Sequence, residues 1–152
     1  MLDVGVPDGA QLSLVWRPAH WLRLHAGGGS NGPSLGVRGG LSLVAFDSWF
    51  TPSLVVEGGH FFEGDLQGFM AEVVGESDEN IPEKVSYTYG NLHLGLELGT
   101  PDFVFFLRGG MSLIEADVTP AQSTGDGFRF EGKAHVSALS PSAKLGFTLY
   151  FL

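Results

Sequence analysis

The residues able to do chemistry in this 152-residue chain stand singly on alternating positions instead of in clusters. Arg23, His25, Arg38, Glu57, His93, Glu97, Arg108 and Lys144 each lie among small neighbours, on the face opposite a row of oily side chains. Charges of both signs placed this way suit an ion-pair network inside a confined space, where an unpaired charge is severely penalised. Four bases, Arg23, Arg38, Arg108 and Lys144, then meet only two acids, Glu57 and Glu97. Either Arg23 or Lys144 stands near a wet end, or one strand register is misassigned.

Other chemistries fare worse. His25, His60, His93 and His135 with Ser86, Ser112 and Ser137 offer bases and hydroxyls, but no G-x-S-x-G nucleophile turn occurs. His60 is expected to face outward near the end that carries the long loops, the one position that favours an enzymatic alternative. His20 and His25 are five apart and would face opposite sides of a strand, so no metal pair forms. Glycine pairs follow charges in Arg38-Gly39-Gly40, Glu57-Gly58-Gly59 and Arg108-Gly109-Gly110. A phosphate-cradling loop needs a following helix, and none is legible, so these pairs read as strand bends or close approaches. The expectation is no enzyme, no cofactor and no metal. A net charge of -9, with only eight scattered Lys and Arg, argues against nucleic acid. The chain has no cysteine, which leaves disulfide and thiolate chemistry out.

The elements that must position these groups are strands. Ala143, Leu145, Phe147, Leu149 and Phe151 fall on one face, with Lys144, Gly146, Thr148 and Tyr150 on the other. Leu35, Val37, Leu41 and Leu43 likewise oppose Gly36, Arg38, Gly40 and Ser42, and Phe103, Phe105, Leu107, Met111 and Leu113 oppose Arg108, Gly110 and Ser112. A soluble sheet would carry Lys, Glu and Thr on its polar face; glycine, serine and scattered charges fit a narrow lumen instead. Charged residues are only 16 %, while Gly reaches 23 and Phe 12. No apolar run approaches the roughly 18 to 20 residues of a transmembrane helix, so a bilayer could be crossed only by a closed barrel.

Turn residues divide the chain into eight candidate strands, near 1–6, 10–17, 20–28, 34–46, 50–62, 84–99, 103–118 and 141–152. Short connections at 17–20, 46–49 and 99–102 alternate with longer ones at 27–33, 63–83 and 119–141; only 6–9 breaks the rule. The reading is a single all-β domain over 1–152: an antiparallel, up-and-down, eight-stranded transmembrane β-barrel with both chain ends on the short-turn side, its brief first strand lacking part of a full one. If part of 119–141 inserts as a further strand, the count rises.

Trp16, Trp21, Phe46, Trp49, Phe103, Tyr150 and Phe151 gather at the short-turn end, as an interfacial aromatic girdle would. The loop 63–83 carries Glu63, Glu72, Glu76, Asp78, Glu79 and Glu83 with no base beside them. Solvation is its default role, with cation binding or bridging to lipopolysaccharide through divalent ions as alternatives. A short amphipathic helix is expected over 66–74, and an extra hairpin around Phe128, Arg129, Phe130 and Lys133.

On these features the chain resembles the small eight-stranded bacterial outer-membrane barrels of the OmpA-transmembrane and OmpX type, over nearly its whole length. The stretch 144–152 is similar to the terminal strand that barrel-assembly machinery reads, except that Phe151 is penultimate and Leu152 last. The resemblance implies an outer-membrane location, lipid and lipopolysaccharide as surroundings, and a charge-paired interior that plugs the barrel. Some similar barrels are lipid-modifying enzymes. No basic start and apolar core follow Met1, so the expectation is a mature or truncated form without its signal peptide. The leading function is a structural or cell-surface interaction role; the alternatives are a narrow pore, a lipid-modifying barrel and a soluble lipocalin-like barrel.

Overall fold

Side chains that alternate across a pleated backbone give each strand two chemically distinct faces, and closing the sheet turns one face into an interior. The structure, a computed structural model, describes residues 1–46, 48–65, 84–119 and 134–151. Eight strands run in order round a closed barrel: β1 (Leu2–Val6), β2 (Gly9–Ala19), β3 (Leu22–Ser30), β4 (Leu35–Val44), β5 (Phe50–Asp65), β6 (Lys84–Gly99), β7 (Phe103–Thr119) and β8 (Ala134–Leu149). Every neighbouring pair is antiparallel, and β8 closes on β1 with Leu2 opposite Phe147 and Val6 opposite Ala143. Connections 20–21, 45–49 and 100–102 lie with Met1 and Phe151 at one end, the turn end; the others leave from the loop end.

The polar face points in. Asp3, Gln11, Ser13, His25, Arg38, Ser42, Glu57, Asn91, His93, Glu97, Arg108 and Lys144 are all buried, while Leu14, Leu35, Leu94, Leu107 and Leu139 are among the large apolar residues exposed outside. The arrangement inverts that of a soluble domain, where a contiguous exposed apolar surface is rare.

Strand limits depart from the alternation in instructive places. β2 runs through Pro18 to Ala19, so the turn lies at 20–21; Pro18 has no N–H to give, and the β2–β3 register shifts between Trp16 and Ala19. β8 begins at Ala134, so 134–140 is strand where a long connection was expected. Val136, Ser137, Ala138 and Leu139 are exposed whichever way they point, because β1 pairs no further than Ala143. With no interior at that height, alternation has nothing to report, and Pro141 is tolerated because no strand pairs with that edge. The stretches 66–74 and 128–133 lie outside the described residues.

β5 to β8 have 16, 16, 17 and 16 residues against 5, 11, 9 and 10 in β1 to β4. The longer strands rise past the rim at the loop end as a four-stranded sheet. Within the barrel the glycines make room for rings on the adjacent strand. Gly36 faces Phe61, Gly59 faces Tyr89 and Gly40 faces His25 across the ladders, and a Cβ at these glycines would come within 2.7, 2.6 and 2.8 Å of those rings.

Candidate functional site

Because every inward strand position projects toward one axis, residues far apart in sequence meet in the lumen. Its centre is built on Glu57 of β5. Lys144 from β8 reaches one carboxylate oxygen, and the other lies 3.0 Å from His25 Nε2 on β3 and 3.3 Å from an Arg38 nitrogen on β4. Arg38 forms a two-pronged pair with Asp3 of β1, one arm at 2.7 Å, and donates through Nε to Ser13 Oγ at 2.9 Å. Lys144 also meets Asp8, whose carboxylate accepts from Asn91 at 2.8 Å.

Asp3 and Asp8 resolve the imbalance of four bases against two acids. Alternation along Leu2, Val4 and Val6 puts Asp3 inward, a signal present in the sequence but overlooked. Asp8 lies in the β1–β2 turn, where period two carries no information, and yet it is fully buried.

A second cluster lies nearer the turn end. Glu97 of β6 pairs with Arg23 of β3, and its other oxygen is 3.8 Å from Arg108 of β7. The Arg108 guanidinium lies 3.9 Å from the centre of the buried Phe106 ring. Nε of Arg23 and both Nε and one terminal nitrogen of Arg108 are buried without hydrogen-bond partners among the described residues. Toward the loop end the interior changes character: Phe61 stacks on Tyr87 and Tyr89 with centroids 4.9 and 5.8 Å apart, and Asn31 donates to the Tyr87 hydroxyl at 2.8 Å.

The seven charges expected inside, Arg23, Arg38, Glu57, His93, Glu97, Arg108 and Lys144, are therefore all in the lumen, six of them in the two ion-pair clusters. His93 stands apart, its Nε2 at 2.8 Å from Ser142 Oγ. A base beside a hydroxyl invites a nucleophilic reading, but Nδ1 of His93 has no partner among the described residues to orient the ring, and both residues are buried. Ser112 is buried on the neighbouring strand with no hydrogen-bond partner among the described residues, and Ser137 is exposed above the rim. No group of three His, Asp or Glu suited to a metal ion occurs among the described residues.

Trp16, Trp21, Phe46, Trp49, Phe103 and Phe151 are exposed on the outside at the turn end. Tyr150 departs from this set. It is half-buried at the lumen mouth, with Arg17 and Arg23 at 4.8 and 5.7 Å from its ring centre, as the inward parity it shares with Lys144 dictates. Burial raises its phenol above the ordinary tyrosine value, so it stays a neutral donor. At the other end of the molecule Glu63 is exposed late in β5, and Glu72, Glu76, Asp78, Glu79 and Glu83 lie outside the described residues.

One outward row stands out. His60, Thr88, Glu115 and Ser137 are directly paired in sequence across β5, β6, β7 and β8, and His60 Nδ1 lies 2.9 Å from Thr88 Oγ1. Below it the outer face is apolar down to the aromatic residues. Comparisons of the chain with protein-family models, curated proteins and solved structures find no match in any of the three.

Proposed function

We propose that this chain is an outer-membrane barrel with a structural or cell-surface interaction role, its lumen serving as a plug. The observation that carries the reading is the inverted distribution of chemistry: a charge-paired interior inside an apolar exterior with a defined height. The stretch from Phe50 to His60 on β5, at about 3.3 Å per residue and a tilt of about 40°, spans roughly 25 Å, the height of the apolar band in such barrels. Exposed aromatic residues border that band at the turn end, and the row of His60, Thr88, Glu115 and Ser137 borders it at the loop end. A bacterial outer membrane accounts for both borders, with lipid and lipopolysaccharide against the outer face and barrel-assembly machinery reading β8 during insertion.

The surface role is supported by β5 to β8 rising beyond the rim. β4 pairs no further along β5 than Phe61, and β1 leaves β8 free before Ala143, so the emergent sheet has two edges without a strand partner among the described residues. Unpaired edges offer backbone donors and acceptors to another extended chain. Glu63, exposed late in β5, lies at the same end.

The purified protein should need detergent or lipid to stay dispersed and should migrate differently on gels when unboiled. In planar bilayers it should give no steady conductance. A monodisperse detergent-free protein would overturn the membrane reading, and stable single-channel steps would replace the plug with a pore.

A further inference from the structure

The lumen opens at the turn end into a cavity of about 410 Å³ whose lining includes Arg17, His20 and Arg23 against a single acid, Glu97. That acid is already shared with Arg108, so positive charge is left over. Arg17 meets no carboxylate among the described residues; its guanidinium is held instead over the Tyr150 ring, which Arg23 also approaches. Arg23 Nε is also buried with no hydrogen-bond partner among the described residues.

We propose that this mouth is a binding site for a phosphate group, clamped between Arg17 and Arg23 with His20 as a third donor. Two guanidinium forks and an imidazole ask for an acceptor with several oxygens and more than one negative charge, which a phosphate supplies and a carboxylate does not. The Tyr150 ring lies beside both guanidiniums, its centre 4.8 Å from that of Arg17 and 5.7 Å from that of Arg23. Phe46 and Trp49, from the β4–β5 connection, supply apolar walls beside the basic groups, so a phosphate carrying an organic substituent fits as well as a bare ion. The same chemistry is presented by a lipid headgroup at that end of the barrel and by a soluble phosphate compound. The proposal does not rest on where the barrel resides.

The test is titration of the folded protein, in a phosphate-free nonionic detergent, with inorganic phosphate followed by calorimetry and phosphorus NMR. Micelles containing phosphatidylglycerol are then examined by native mass spectrometry. Saturable binding, weakened at least tenfold by Arg17→Gln and several-fold by His20→Gln, is the expected result. Both variants keep their heat-dependent gel mobility, since both side chains are exposed and outside the ion-pair clusters. Phosphatidylglycerol retained by the unaltered protein and lost from Arg17→Gln assigns the site to a lipid headgroup; phosphate binding without lipid retention assigns it to a soluble compound. Absence of saturable binding stronger than about 1 mM for either probe overturns the proposal, as does binding that both substitutions leave unchanged.

Discussion

The centre of the lumen and its turn-end mouth use the same residue types to opposite effect. At the centre three carboxylates, Asp3, Asp8 and Glu57, surround Arg38 and Lys144, and most polar atoms are engaged. Nearer the mouth one carboxylate, Glu97, serves both Arg23 and Arg108, and donors are left over. The acids and bases of the two clusters balance overall but not locally, with surplus acid at the centre and surplus base toward the mouth. The sealed centre holds its surplus carboxylate because further partners meet it, Asn91 at Asp8 and His25 at Glu57. Beside an opening, water and mobile solutes relieve the mismatch, so imbalance is cheap there.

The largest break in this contrast is Glu97→Gln, which leaves Arg23 and the buried Arg108, a residue that does not line the cavity, with no acid among the described residues. It should lower unfolding stability by on the order of 3 to 5 kcal/mol, read as a shift of the denaturant midpoint in lipid or detergent. Glu57→Gln leaves Arg38 with Asp3 and Lys144 with Asp8, two acids against two bases, so a loss of about 1 to 3 kcal/mol, from the charge-assisted hydrogen bonds removed, is expected in the same assay. Equal losses from the two substitutions would erase the distinction between centre and mouth. Gly59→Ala sharpens a different boundary by pressing a methyl group into the Tyr89 ring, and should cost about 1 to 3 kcal/mol. Gly109→Ala meets nothing within 4 Å and should stay within about 0.5 kcal/mol of the unaltered protein.

Where one face of a strand is sealed and the other open, the sequence is legible. Lys144, Gly146 and Thr148 between Leu145, Phe147 and Leu149 state the inward face of β8 without ambiguity, and β4 and β7 do so as well. The same strand becomes illegible above the rim, since Val136 to Leu139 are exposed on both faces. Asp8 was illegible for a different reason: a turn has no parity, and only the closed barrel brings it over Lys144. Tyr150 shows two rules in conflict, its aromatic type suggesting the outer belt and its parity the lumen; parity prevailed, because the pleat fixes direction before side-chain preference acts.

The brevity of β1 ties assembly to electrostatics. Its Leu2–Val6 stretch is the seam on which β8 closes, joining the two ends of the chain. The same opening segment delivers Asp3 and, just after it, Asp8, which makes it the source of half the acids in the lumen clusters. In an open sheet without that seam Lys144 would stand at the edge opposite β1, away from Asp8. Shutting the hoop and pairing Lys144 with Asp8 are then one event, so the barrel carries in its first residues a chemical lock that engages only when the circle is complete.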